Sequence, residues 1–188
     1  PLIIAEMSGN HNQSLDRAME LVEAAAEAGV HALKLQTASP DGLTLNVDTP
    51  DFLIDDPASP WNGRNLYELY QEAVTPWEWH EPIFRKCAEL GVTVFSSPFE
   101  QSAVDLLEEL DAPCYKIASF ELVDLPLVRK AAVTGKPLIM STGMASVSDI
   151  EDAVNAAKEV GNEQIILLKC TSSYPATAGD ANVATIPH

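Results

Sequence analysis

The sequence predicts a parallel α/β fold, specifically a (β/α)8 TIM barrel with about six of the eight βα units within residues 1–188. Short continuous apolar runs recur along the chain, and each is followed by a helical pattern, which is typical of a parallel sheet covered on both faces. An open doubly wound sheet is the competing topology. Polar residues at the carboxyl ends of nearly all the runs favour the barrel. The first run also lacks the Gly-x-Gly-x-x-Gly turn of dinucleotide-binding sheets.

Six short apolar runs are predicted to form the strands. One long connection, residues 38–75, separates the second strand from the third, and it contains several prolines, Trp61 and a helical stretch, Asn65–Ala73. Because loops of this length are usually functional, we expect it to cover the site as a lid; the alternative is a solvent-exposed decoration. The predicted strands are Leu2–Ala5, Ala32–Gln36, Thr93–Ser96, Cys114–Ala118, Leu138–Ser141 and Gln164–Cys170.

Helices are predicted between the strands from capping residues and apolar stripes. Ser14 caps the first helix, and Thr75-Pro76 begins the helix that follows the long connection. Apolar residues at helical spacing between 103 and 110 predict another, and Asp124 caps the next. Ser148-x-x-Glu151 has the spacing of a capping box for the last helix.

The composition excludes several classes of partner. The chain has 28 Asp and Glu against 11 Lys and Arg, a formal net charge of −17, which excludes nucleic acid and anionic membrane surfaces. No apolar run reaches the length of a membrane span, and no signal peptide is predicted. The chain has three cysteines, an odd number, and their spacing is not that of a metal site. These features are typical of reduced thiols, so we expect a cytoplasmic protein.

Three lysines lie within predicted strands, where an isolated ammonium group is costly. They are Lys34, Lys116 and Lys169, and each is followed within a few residues by a hydroxyl residue. A lysine buried in apolar surroundings must lose its proton or find an anion. Lysines at corresponding places in three strands therefore predict one shared anion, a phosphate or a carboxylate, at one end of the sheet.

Other polar side chains follow the same strands at their carboxyl ends. Cations neutralise a phosphate and hydroxyl groups donate hydrogen bonds to it, while two nearby carboxylates can transfer protons. The candidate residues at the strand ends are Glu6, Gln36, Ser97, Ser119, Glu121, Ser141, Ser172 and Tyr174.

Six motifs occur in the order seen in sialic acid synthases, and the chain resembles that family over essentially its whole length. The segment Pro40–Asn46, together with Leu66–Tyr70 and Trp79-His80, is more similar to the pseudaminic acid synthase branch. The six motifs are Ala5-Glu-Met-Ser-Gly-Asn-His11, Lys34-Leu-Gln-Thr37, Ser96-Ser-Pro-Phe99, Tyr115-Lys-Ile-Ala-Ser-Phe-Glu121, Ser141-Thr-Gly143 and Lys169-Cys-Thr-Ser-Ser-Tyr-Pro175.

The resemblance implies a barrel enzyme that condenses phosphoenolpyruvate with an acylamino sugar aldehyde and water. The product is a nine-carbon 2-keto acid, released with phosphate, for surface polysaccharide or glycan biosynthesis. Glu121 and Glu6 are implied as catalytic residues, while Glu6, Gln36, Trp61 and Tyr174 face the sugar. The residues implied to bind phosphoenolpyruvate are Lys34, Ser97, Lys116, Ser119, Ser141 and Ser172.

The resemblance also implies a divalent metal, Mn2+ or Mg2+, and a homodimer. The family's two metal-binding histidines are expected beyond His188, so no metal ligand is assigned within this chain. The family's small C-terminal antifreeze-like domain is not found in residues 1–188, and we expect this incomplete barrel to lack full catalytic competence. Trp61 lies where the N-acetylneuraminate branch has a polar sugar contact, which is consistent with a deoxygenated sugar. The resemblance therefore implies either a 6-deoxy diacetamido hexose or a sugar of the N-acetylmannosamine type.

Two other functions are compatible with the same residues. A Schiff-base aldolase of the same fold would use Lys169 as its nucleophile. A non-catalytic fragment would bind only a sugar phosphate or a partner protein. Borohydride reduction, which traps a Schiff base on Lys169, distinguishes the aldolase from the reaction with phosphoenolpyruvate. Release of phosphate from phosphoenolpyruvate distinguishes that reaction from a non-catalytic binding fragment.

Overall fold

A computed structural model describes residues 1–173 and 176–187, and the chain divides into two compact units, residues 1–103 and 104–188. In each unit parallel strands pair in the order of the chain and alternate with helices. Helix α5, Gln101–Glu109, spans the boundary in sequence. No helix in the described part of the chain is long and apolar enough to cross a membrane.

The first unit contains three strands, and β2 pairs with both β1 and β3. The register sets Glu6 opposite Lys34 and Gln36 opposite Ser97. Because alternate residues of a strand face the same side, these four side chains share one face of the sheet. The elements are β1 Ile4–Glu6, α1 Leu15–Glu27, β2 Ala32–Thr37, α2 Pro40–Leu43, α3 Leu66–Ala73, α4 His80–Leu90 and β3 Thr93–Pro98.

The opposite face of this sheet forms the core with α1 and α4. Burying a leucine such as Leu33 or Leu35 contributes about 1.5–3 kcal/mol. Ser14 caps α1 as predicted, with its side chain accepting a hydrogen bond from the Arg17 amide. The buried residues of this cluster include Met7, Ala18, Val22, Leu33, Leu35, Ile83, Cys87 and Val94.

The long connection contains α2, a 3₁₀ turn at Pro50–Phe52 and α3, which begins within one residue of its predicted start. The Ile54 amide donates to the Arg64 carbonyl at 2.9 Å. This bond joins the two ends of the loop that lies between the 3₁₀ turn and α3. At its first end, the Ser39 amide donates to Glu100 Oε1 at 2.7 Å. The connection is therefore a structured segment attached to the first unit; whether it acts as a lid stays a prediction.

The second unit contains three further strands in parallel pairs, β4 with β5 and β5 with β6. Tyr115, Ile117, Leu138 and Met140 are fully buried on one face of this sheet. Lys116 and Ser141 alternate with them and therefore face the other side. The elements are β4 Tyr115–Ile117, α6 Leu125–Val133, β5 Leu138–Ser141, α7 Val147–Glu159 and β6 Ile165–Leu168.

Two sequence predictions for this unit need correction. Asp124 caps α6 as predicted, but the capping box of α7 is formed by Ser146 and Asp149 rather than by Ser148 and Glu151. β6 ends at Leu168, so Lys169 follows the strand instead of lying within it. Three successive apolar side chains of β6 are exposed, namely Ile166, Leu167 and Leu168.

Candidate active site

In the first unit, Lys34 is a buried lysine with a carboxylate beside it. Its Nζ lies 3.3 Å from Oε1 of Glu6, the residue opposite it on β1. The Lys34 residue is 7% exposed, whereas the Glu6 side chain is 58% exposed. The chain itself therefore supplies one anion for this lysine, and the exposed carboxylate of the pair is the part open to solvent.

Gln36 and Ser97 lie on the same face, at the carboxyl ends of β2 and β3. Ser97 is buried, and its Oγ makes no hydrogen bond to any residue that the structure describes. Leaving a buried hydroxyl without a partner costs about 1–3 kcal/mol. Such an atom at a strand end is suited to bind a polar ligand.

A buried hydrogen-bond network lies behind these two residues. His80 Nε2 is 2.8 Å from Thr37 Oγ1, which is 2.7 Å from Ser96 Oγ. His80 Nδ1 lies 3.3 Å from the Pro76 carbonyl, which can only accept, so Nδ1 carries the proton and Nε2 accepts from Thr37. Burial lowers the pKa of His80, which keeps the ring neutral. The sequence showed a helical histidine here but not that it would be buried.

In the second unit, Lys116 is 7% exposed, and its Nζ donates to the Ile117 carbonyl at 2.8 Å. Lys116 pairs in register with Ile139, and Ser141 is two residues further along β5. Lys116, within β4, and Ser141, at the end of β5, therefore share one face of the sheet, and both are buried. The two side chains are thus on the same side of the sheet in this unit, while their role in binding an anion stays a prediction.

Ser119 and Ser172 meet at Gly143, in the loop after β5. The Gly143 amide donates to Ser119 Oγ at 3.2 Å. A Cβ at position 143 would overlap Ser172 Oγ and would lie 3.0 Å from Ser119 Oγ. Two predicted phosphate-binding hydroxyls are thus close together only because residue 143 has no side chain. The sequence identified the Ser-Thr-Gly motif without indicating this role for its glycine.

Glu121 lies in a short 3₁₀ turn after β4, two residues beyond Ser119. Burial raises the pKa of its carboxyl group, although its own backbone amide and the positive charge of Lys116 act in the opposite direction. Oε2 has no hydrogen-bond partner among the described residues. A carboxyl group with a raised pKa is suited to hold and deliver a proton.

The remaining predicted residues are placed differently. Lys169 is half-buried, and its Nζ donates to Thr171 Oγ1 at 2.8 Å and to the Asp180 carbonyl at 3.3 Å. Trp61 is 50% exposed in the long connection. Tyr174 lies outside the described residues. Lys169 is therefore engaged by its own neighbours rather than enclosed in an apolar strand.

No group of three or more His, Cys, Asp or Glu side chains within residues 1–173 and 176–187 is arranged to hold a metal ion. The buried histidines of this region bond to hydroxyl groups instead, as in His11 Nε2 with Thr75 Oγ1 at 3.1 Å. The described residues therefore offer no fitting ligand set for a metal ion.

The chain is similar to enzymes of nonulosonic acid synthesis. The pseudaminic acid synthase of Helicobacter pylori is 47% identical over 186 residues, covering 99% of this chain and 54% of that protein. The pseudaminic acid synthase of Campylobacter jejuni is 45% identical over 184 residues, covering 98% of this chain and 53% of that protein. The chain thus spans about half the length of these curated relatives.

A solved structure is similar over the same extent. The crystal structure of the N-acetylneuraminic acid synthetase from Leptospira borgpetersenii, in complex with citrate, superposes with a TM-score of 0.85 at 28% identity. The match covers 99% of this chain and 59% of that one. The fold is accordingly that of a (β/α)8 barrel, represented here by six parallel strands, which confirms the sequence prediction. The sequence profile of the NeuB family matches residues 21–188, and the chain belongs to this family.

Proposed function

We propose that the protein containing this chain condenses phosphoenolpyruvate with an acylamino sugar aldehyde and water. The products are a nine-carbon, sialic-acid-like 2-keto acid and inorganic phosphate, for surface polysaccharide or glycan biosynthesis. The observation that carries the proposal is that Lys34 and Lys116 are buried within β2 and β4, on the sheet faces that also carry polar side chains. The names of the relatives, pseudaminic acid synthases, support the reaction class.

Phosphoenolpyruvate is an anion with a phosphate and a carboxylate group, and it requires fixed cations and hydrogen-bond donors. Each buried lysine supplies a charge that is stronger in a low-dielectric site than in water. The hydroxyl groups gathered around Gly143 supply donors in a fixed arrangement. The proposed phosphoenolpyruvate-binding residues are Lys34, Ser97, Lys116, Ser119, Ser141 and Ser172.

The proposed reaction has two stages. The methylene carbon of phosphoenolpyruvate attacks the aldehyde carbon, the new C–C bond forms, and the aldehyde oxygen takes up a proton. Water then adds to the carbon that bears the phosphate, and the tetrahedral intermediate expels phosphate to leave the ketone. Glu121 supplies the proton to the aldehyde oxygen, because burial favours its neutral acid form. Glu6, beside Lys34, accepts the proton from the attacking water.

The acceptor sugar is proposed to be a 6-deoxy diacetamido hexose or a sugar of the N-acetylmannosamine type. Glu6, Gln36, Trp61 and Tyr174 are the residues proposed to face it. A divalent Mn2+ or Mg2+ ion remains part of the proposal through the family alone and would polarise the sugar aldehyde. The complete protein is proposed to act as a homodimer in the cytoplasm.

The Schiff-base alternative is less well supported by the contacts of Lys169. A lysine that forms a Schiff base is activated by desolvation in an apolar pocket or by a neighbouring cation. Lys169 is instead partly exposed and donates to a hydroxyl group and a backbone carbonyl. We therefore favour the reaction with phosphoenolpyruvate.

The test is turnover by the complete protein that contains this chain. It is incubated with phosphoenolpyruvate and either N-acetylmannosamine or a 6-deoxy diacetamido hexose, in the presence of Mn2+ or Mg2+. Phosphate release that depends on the sugar, with a 2-keto acid of the summed mass, is the expected result. A covalent adduct on Lys169 after incubation with pyruvate and reduction by borohydride contradicts the proposal. The absence of phosphate release with either sugar contradicts it as well.

A further inference from the structure

The loop after β1, residues 7–13, has a strained backbone. Ser8, Asn12 and Gln13 have φ values of +50°, +49° and +55°. They are three of the five non-glycine residues with positive φ in the described part of the chain. Residues in this region persist only where surrounding contacts hold them, and they cluster at functional sites. Because the loop directly follows Glu6, the contacts that hold it are of functional interest.

His11 is the fully buried residue of this loop. The Gln13 amide donates to His11 Nδ1 at 3.2 Å, so Nε2 carries the proton and donates to Thr75 Oγ1 at 3.1 Å. The ring also lies edge-on to Trp79, with a centroid distance of 5.3 Å. Burial lowers the pKa of His11, which favours this neutral form. His11 thus joins the loop to the end of the long connection.

Two further contacts attach the loop to the end of α3. Gln13 Nε2 donates to the carbonyls of Glu72 and Val74, at 2.9 and 2.8 Å. A Cβ at Gly9 would lie 2.9 Å from the Ala73 carbonyl oxygen, closer than real Cβ atoms approach. The loop is therefore attached at three of its residues, and His11 makes the buried attachment.

The loop also holds the backbone of Met7, the residue after Glu6. The Met7 amide donates to the Lys34 carbonyl at 3.1 Å. The Met7 carbonyl accepts from the Asn10 amide at 3.2 Å and from Asn10 Nδ2 at 2.9 Å. A path of hydrogen bonds and short backbone segments therefore leads from Thr75 through His11 to Glu6, whose carboxylate pairs with Lys34.

We infer that His11 and Thr75 are positioning residues, which hold the loop after β1 and thereby set the position of Glu6 beside Lys34. The consequence for turnover rests on the proposed function, in which Glu6 accepts a proton from water, whereas the hold on the loop does not. Loss of the bond between His11 and Thr75 should release the strained backbone, and the loosening should extend to Met7.

Hydrogen exchange of backbone amides in the complete protein, resolved to single residues by mass spectrometry, tests the hold on the loop. Thr75→Val removes the hydroxyl group at nearly constant size, and Thr75→Ser retains it. Gln13→Asn is a second variant at an exposed residue, because asparagine adopts positive φ readily but is one methylene group shorter. Tyr67→Phe is the matched control, since it removes a hydrogen bond of 3.1 Å to Asp41 between two residues of the long connection.

We expect the Met7 and Gln13 amides to exchange several-fold faster in Thr75→Val, and to a smaller extent in Gln13→Asn. Exchange in Thr75→Ser and Tyr67→Phe should stay close to that of the unaltered protein. Unchanged exchange in both Thr75→Val and Gln13→Asn overturns the inference, and so does acceleration confined to residues 8–13. If Thr75→Val does not fold, Gln13→Asn decides by the same two criteria.

Turnover separates positioning from a purely structural role. At a temperature at which all variants are folded, Thr75→Val should lower kcat several-fold, and Thr75→Ser should restore it. The KM for the sugar should rise more than that for phosphoenolpyruvate, because Glu6 faces the sugar in the proposed reaction. Equal kinetics in the two variants, despite faster exchange at Met7, overturn the positioning of Glu6. If the unaltered protein releases no phosphate, the proposed function fails, and exchange at Met7 alone decides this inference.

Discussion

His80 Nε2 accepts a hydrogen bond from Thr37 Oγ1 at 2.8 Å, and this bond joins α4 to the carboxyl end of β2. Thr37 in turn lies 2.7 Å from Ser96 Oγ on β3. Thr37 follows Gln36 and Ser96 precedes Ser97, so the network holds the two strand ends whose site residues face the other side of the sheet. A neutral histidine is therefore part of what orients Gln36 and Ser97.

Stability should fall as the pH decreases from 7 to 5. Burial lowers the pKa of His11 and of His80, so the unfolded chain binds more protons than the folded chain below about pH 6.5. The stability that neutral histidines provide is present above that pH and is lost as the pH falls through their folded values. Urea denaturation across this range measures the loss, and His11→Gln/His80→Gln should flatten the dependence. An unchanged slope in that double variant contradicts the assignment.

Lys116→Ala should weaken phosphoenolpyruvate binding far more than sugar binding. Hydrogen bonds to charged groups contribute about 1.5–3 kcal/mol, which corresponds to a loss of roughly 10-fold to 100-fold in affinity. Isothermal titration of each substrate with the complete protein separates the two effects. Lys169→Ala, a half-buried lysine that bonds to Thr171, is the comparison and should have a smaller effect. An equal loss of affinity for phosphoenolpyruvate and for the sugar in Lys116→Ala would count against the role proposed for Lys116.

Glu121→Gln should lower kcat while substrate binding changes little. The amide retains the size of the side chain but cannot deliver a proton, and general acid–base catalysis contributes about 10²–10⁴-fold. Steady-state phosphate release measures kcat, and titration of phosphoenolpyruvate measures binding. Turnover equal to that of the unaltered protein would remove Glu121 from the mechanism.

Gly143→Ala should raise the KM for phosphoenolpyruvate, because the new methyl group displaces the hydroxyls of Ser172 and Ser119. Gly161→Ala is the matched control, since residue 161 has φ +87° but an added Cβ meets no atom within 4 Å. Both variants should lose about 1 kcal/mol or more of stability, through crowding or backbone strain. Only Gly143→Ala should change KM; similar kinetics in the two variants would show that the close approach is not functional.

The sequence predicted the parallel strands well, because continuous apolar runs and helix caps are local signals. Ser14 and Asp124 cap their helices as expected. The box of α7 was misplaced because Ser146-x-x-Asp149 and Ser148-x-x-Glu151 have the same local pattern, and the helix begins at Val147, directly after Ser146.

Site geometry was less accessible from the sequence than the strands were. The pairing of Lys34 with Glu6 depends on strand register, which spacing along one chain does not specify. The close contact of Ser119 with Gly143 joins residues that are 24 positions apart. The burial of His80 depends on α4 packing against β2 and β3, and no feature of its neighbouring residues indicated it.

The exposed side chains of Ile166, Leu167 and Leu168 have a practical consequence for anyone who handles this polypeptide alone. An exposed apolar β-strand favours association with other copies of the same polypeptide. Electrostatic repulsion between molecules of formal net charge −17 opposes this association in dilute buffer. Added salt screens the repulsion between the charged molecules but does not weaken the apolar association of the exposed strands. Purification of these 188 residues is therefore best kept at low ionic strength.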